Sequence, residues 1–116
     1  LTMYGGLDIL QAVTEIGSSD RFDASQAYRL AEAVTGRDRA VQYSIFQDRV
    51  LAVLADSARS AAERGEAGLA AHLSGRWEQA VERSVLADSY NLDRKEHVVG
   101  LLHEFHAALH AQPGQH

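Results

Sequence analysis

The run Asn91-Leu92-Asp93-Arg94-Lys95-Glu96-His97-Val98-Val99-Gly100-Leu101-Leu102-His103-Glu104-Phe105 decides how the chain is read. It opens with a helix start. Asn91 or Asp93 can accept a hydrogen bond from the free N–H groups of a first helical turn. With Asp93 as the cap, Glu96 falls at the third helical position, a capping box with Asp in place of Ser or Thr. A stripe follows: Val98, Leu101, Leu102, Phe105 and Leu109 recur at helical spacing, so one face is apolar. Such a face must be buried against something, and the preceding segments supply the surface.

Those segments read as further helices. Thr2 to Ile16 carries Leu7, Leu10, Val13 and Ile16 at three-residue spacing, with a start weakened by Gly5-Gly6. Gly17-Ser18-Ser19-Asp20 has the chemistry of a loop. Asp23 or Ser25 caps a short second helix whose inner face is Ala27, Leu30, Ala31 and Val34, and Gly36 ends it where glycine is favoured. Asp38 opens a long third helix with a wide stripe of Val41, Ile45, Phe46, Val50, Leu51, Val53, Leu54 and Ala58, stopped by Gly65. Glu66 begins a fourth, lined on one side by Leu69, Leu73, Trp77, Ala80, Val81, Val85 and Tyr90. Gly75 inside it costs about 1 kcal/mol relative to Ala, which a close crossing of a neighbour would explain. The only proline is Pro113. The expectation is an all-α, compact bundle of about five antiparallel helices over residues 1–111, with 112–116 a frayed tail.

Composition narrows the classes. A chain of 116 residues makes one domain and can bury a core without staples. With no Cys, neither a disulfide nor a thiolate metal site can form. A net charge of −5 and a pI near 5.6 argue against broad nucleic-acid or membrane attachment, which want a basic face. No apolar run approaches the roughly 18 residues of a membrane span. Asp8 interrupts the N-terminal stretch and no basic leader precedes it. The expected location is the cytoplasm, and the first residue, Leu1, suggests a piece of a longer protein.

His103, His106 and His110 are the best metal candidate. Their spacing of three and four puts them on one helical face, with His97 further back, and imidazole suits zinc, copper or nickel. No carboxylate is placed to complete the shell. The plainer reading is a polar margin beside Leu102, Phe105 and Leu109. Glu78/Glu82 and Glu63/Glu66 read as solvated faces. Gly5-Gly6 lacks the Lys-Ser/Thr of a phosphate loop, and no nucleophile elbow is present. Arg37, Arg39, Arg49 and Arg83 are interleaved with acids. No catalytic residue and no cofactor is expected. Tyr28, Tyr43, Phe46, Trp77 and Tyr90 belong to the core by default, with some aromatic surface left for a partner.

Asn91-Leu92-Asp93-Arg94-Lys95, followed by the apolar Val98-Val99-Gly100-Leu101-Leu102, resembles the C-terminal domain of the delta-prime subunit of bacterial DNA polymerase III in its alphaproteobacterial form. Trp77-Glu78 in the helix before, Leu30-Ala31-Glu32-Ala33-Val34-Thr35-Gly36-Arg37-Asp38 between two helices, and Gly6-Leu7 extend the resemblance over nearly the whole chain. The homologous domain of the motor subunit is the runner-up; the Asn-Leu-Asp-Arg-Lys run favours delta-prime. The resemblance implies a collar domain of the clamp loader. In that assembly the C-terminal domains of delta, delta-prime and three gamma/tau subunits form a ring, so that the motor domains can load the beta sliding clamp during DNA replication. It implies gamma/tau and delta as partners and no direct contact with nucleic acid or membrane. The parent holoenzyme is a DNA-directed DNA polymerase, a nucleotidyltransferase; the family's arginine-bearing and zinc-binding motifs belong to its N-terminal domains, and neither motif appears in this sequence. Residues facing away from the stripes are then interface candidates: Tyr43, Arg49, and the turn of Asn91, Asp93, Arg94 and Lys95. For the turn, the competing reading is a cap that orients the last helix. The alternative from another class is a stand-alone helical regulator or metal sensor using His103, His106 and His110.

Overall fold

The computed structural model describes residues 6–89 and 93–111, with side chains from residue 8 to 87 and from 93 onward. Among them are five helices and no strand: α1 (Gly6–Ser18), α2 (Ala24–Thr35), α3 (Ala40–Glu63), α4 (Ala67–Ser89) and α5 (Arg94–Leu109). They form the expected all-α bundle, 44 × 31 × 23 Å. The expected tail at 112–116, Tyr90 and Asn91, and the part of the first helix before Gly6 lie outside the described residues.

The last helix is built as its sequence dictates. Asp93 caps α5, its carboxylate accepting from the backbone N–H of Lys95 at 3.0 Å and of Glu96 at 3.4 Å. Val98, Leu101, Leu102, Phe105 and Ala108 are buried, and Leu109 is half-buried at the edge. The face of α2 is also as expected: Asp23 accepts from Gln26 N–H at 3.1 Å, and Ala27, Leu30, Ala31 and Val34 are buried. These surfaces meet Phe46 and Leu54 of α3 and Ile9 and Ile16 of α1 in one apolar core.

The long hairpin of α3 and α4 turns at Gly65, whose φ of +80° is natural only to glycine. Glu66 N–H donates to Ala61 O at 2.8 Å and Gly65 N–H to Ala62 O at 3.0 Å. This crossed pair closes the last carbonyls of the helix. At the other end of α3 the expectation is corrected. Gly36 is extended (φ −75°, ψ 177°), and Asp38 holds the left-handed backbone of the connection (φ 63°), a conformation Asp tolerates better than most residues. Asp38 therefore does not cap α3. Arg39 stands at the cap position, without a side-chain capping bond.

Three apolar faces are also corrected. In α1 the buried line is Ile9, Ala12, Val13 and Ile16, with Leu10 half-buried; a strict three-residue step drifts off the face of a 3.6-residue helix. In α3, Tyr43, Phe46, Val50, Leu54, Ala58 and Ala61 form the inner line, while Val41 is 68% exposed. In α4 the buried residues are Leu73, Ala80, Ser84 and Ala87. Trp77 is 37% and Val85 58% exposed. A Cβ on Gly75 would meet nothing within 4 Å, so no close crossing explains that glycine.

Gly17 and Ser18 are helical, not loop. The reason is tertiary. A Cβ on Gly17 would stand 2.7 Å from Phe105 Cε2 and 2.8 Å from Leu109 Cδ1, so α5 crosses α1 where only glycine fits. Gly17→Ala sets a helix-propensity gain of about 1 kcal/mol against an overlap costing about 1–3 kcal/mol. Leu109 can turn aside, but Phe105 is 1% exposed and cannot. The expected outcome is a net loss of up to about 2 kcal/mol, read as a lower midpoint in thermal unfolding.

Candidate functional site

The histidines on α5 have a structural task. His106 Nε2 lies 2.8 Å from Ser19 O, and His110 Nε2 lies 3.0 Å from Gly17 O. A carbonyl only accepts, so each Nε2 carries the proton and donates. The two rings stack at 4.2 Å, and Phe22 packs edge-on against His103 at 4.9 Å. The last carbonyls of a helix lack intrahelical partners. Here the imidazoles of α5 supply those donors to the end of α1. That arrangement takes the Nε2 atoms of His106 and His110 away from any metal. Among the described residues no group of three His, Cys, Asp or Glu side chains is gathered to hold one.

The turn into α5 is occupied in a similar way. Asp93 is the cap, the guanidinium of Arg94 lies 4.8 Å over the ring of Tyr43, and Lys95 Nζ is 3.6 Å from Glu32. The Lys95–Glu32 pair is exposed and contributes under about 1 kcal/mol. Together these contacts seat the first turn of α5 on α2 and α3. Asp93→Ala should lower the unfolding free energy by about 1 kcal/mol, with amide exchange in the first turn of α5 accelerated ahead of the core.

Of the interface candidates expected from the sequence, Tyr43 and Arg49 are held within the bundle. Tyr43 is 6% exposed and faces inward. Arg49 is half-buried, with Nη2 donating to Thr14 Oγ1 at 3.4 Å. Asn91 lies outside the described residues. Asp93, Arg94 and Lys95 hold the start of α5, with Asp93 and Arg94 exposed. Glu63, Glu66, Glu78 and Glu82 are exposed, as solvated faces should be.

Apart from Tyr28 of α2 and Val41 of α3, the large exposed apolar residues are on α4. Trp77, Val81 and Val85 follow one another at four-residue steps along one flank, and Leu86, 48% exposed, faces away on another. Beside Trp77, Ala58 and Ala62 of α3 and Ala70, Ala71 and Ser74 of α4 line a shallow groove of about 570 Å³ along the seam of the hairpin. Sequence reasoning assigned Trp77, Val81 and Val85 to the core because they are the larger apolar residues of the helix. The signal that could have corrected this is the line Ala80, Ser84, Ala87. It is small enough for close helix packing and, once buried, turns the larger residues outward.

The class these features define is an all-α bundle whose polar side chains fasten one helix to the next and whose exposed large apolar residues fall mostly on α4. No described helix is long and apolar enough to cross a membrane. Comparisons with protein-family models, curated proteins and solved structures find no match.

Proposed function

We propose that this chain is an oligomerisation domain, the collar domain of a delta-prime-type clamp-loader subunit. Its work is to join the corresponding helical domains of gamma/tau and delta subunits, and it carries no catalytic residue of its own. Two things support this reading: the ordered resemblance from Gly6-Leu7 to Asn91–Lys95, and the observation that carries it, α4 holding Trp77, Val85 and Leu86 outward on different flanks. A collar member needs two side faces and no cleft for chemistry, and aromatic and aliphatic anchors suit such faces. This role belongs in the cytoplasm, at the replication machinery.

The test is co-elution. The domain is mixed with the C-terminal domains of the same organism's gamma/tau and delta subunits and run on size exclusion with light scattering. A stable mixed oligomer is expected. Separate elution of this chain at tens of micromolar, with the other members assembled, would overturn the proposal.

A further inference from the structure

α4 and α5 meet along a second seam, on the side of Leu86. Two shallow hollows of about 360 and 290 Å³ lie along it, and both are lined by Leu86 and Arg83. Leu86 is 48% exposed. The larger hollow also takes in Gly100 of α5, where an added Cβ would meet nothing within 4 Å. From Arg76 to Leu86 the seam follows about 15 Å of α4, close to three turns. An exposed apolar anchor beside open backbone, over that length, suits the apolar side of a short helix laid in the groove.

The charges around Leu86 say what that helix must carry. Among the described residues, the hollows are lined by four carboxylates, Glu82, Asp93, Glu96 and Glu104, against two guanidiniums, Arg76 and Arg83. Arg83 pairs with Glu104, and Arg76 donates to Gln79 at 2.8 Å. Arg94 and Lys95, close in sequence, are turned to Tyr43 and Glu32. Glu82 and Glu96 are exposed, with no ion-pair partner among the described residues. The hairpin groove beside Trp77 differs: Arg59 and Glu78 balance there. A second copy of this chain would set carboxylates against carboxylates on the Leu86 side, which disfavours pairing. Anionic surfaces are repelled for the same reason.

We propose that the α4/α5 seam docks a basic amphipathic helix of a partner protein, its apolar stripe over Leu86 and Gly100 and its Lys or Arg margins against Glu82 and Glu96. The inference rests on the reading of α4 as a contact surface and adds the chemistry of the neighbour on the Leu86 flank. Its test uses no clamp-loader subunit, so it and the co-elution can fail separately.

The probe is a synthetic helix of about 18 residues, with leucine at every third and fourth position and lysine on both margins. One control peptide has glutamate for lysine, the other serine for leucine. In ¹H–¹⁵N spectra of the domain, the lysine/leucine peptide should give saturable shifts at Gly100 and at the Gln79 side-chain amide. Neither control should saturate. Leu86→Ser should weaken binding at least about tenfold. Glu82→Gln combined with Glu96→Gln should weaken it about fivefold. Asp48→Asn combined with Glu63→Gln makes the same change of net charge at exposed positions off the seam, and should alter it less than about twofold. No saturation at millimolar peptide, or equal binding of either control peptide, would overturn the proposal. So would shifts confined to the groove beside Trp77, unweakened binding by Leu86→Ser, or equal effects of the two charge variants.

Discussion

Replacing Phe105 with alanine is expected to lower the unfolding free energy by about 3–5 kcal/mol. Phe105 is 1% exposed and is one of the two largest fully buried side chains, with Phe46. Its ring lies against the bare backbone of Gly17, so truncation removes the surface on which α1 and α5 meet. Domains of this kind have about 5–15 kcal/mol in total, so the variant should be partly unfolded at physiological temperature. In urea the midpoint should fall steeply with the slope unchanged, since the same surface is exposed on unfolding. Tyr28→Ala is the control: Tyr28 is 41% exposed, and the change should stay within about 0.5 kcal/mol. A second arm tests the cause. Phe105→Leu shortens the side chain that meets the Gly17 Cβ, so the cost of Gly17→Ala should shrink in that background. Strict additivity would mean that the two positions do not share the contact.

This crossing also marks the limit of what a sequence read locally can reveal. Asp23, Asp93 and Gly65 act through neighbours two to five residues away, and their roles are legible from local chemistry. The faces of α2 and α5 are legible because large and small apolar residues there agree with one helical period. Gly17 has the composition of a loop, and only the arrival of Phe105 from the far end of the chain explains why the helix runs through it. His106 and His110 are visible as a polar margin, but their carbonyl partners at Ser19 and Gly17 are not. In α4, periodicity weights Trp77 and Val85 above Ala80 and Ser84, whereas helix packing favours the small residues. An open cleft of about 640 Å³ is invisible for a related reason: its lining comes from α1, α3, α4 and α5, segments far apart in the chain.

Charging α4 tests the proposed function at its exposed surface. Val85→Asp and Leu86→Asp should each leave the fold intact, because Val85 is 58% and Leu86 48% exposed and such surface changes stay within about 0.5 kcal/mol. In an interface the same carboxylate would be desolvated without a partner, and an anchor position loses at least about 2 kcal/mol, roughly 30-fold in affinity. Consecutive helical residues point about 100° apart, so one neighbour cannot sit centrally on both. Val85→Asp should therefore release the neighbour on the flank of Trp77 and Val81, and Leu86→Asp the neighbour on the other side. Pairwise co-elution with the gamma/tau and with the delta domains separates the two losses. Loss of one and the same partner by both variants would leave α4 with a single interface and remove the two-sided arrangement a collar requires. If neither variant weakens either pairing, the exposed residues of α4 are not the contact, and the collar reading loses its structural support.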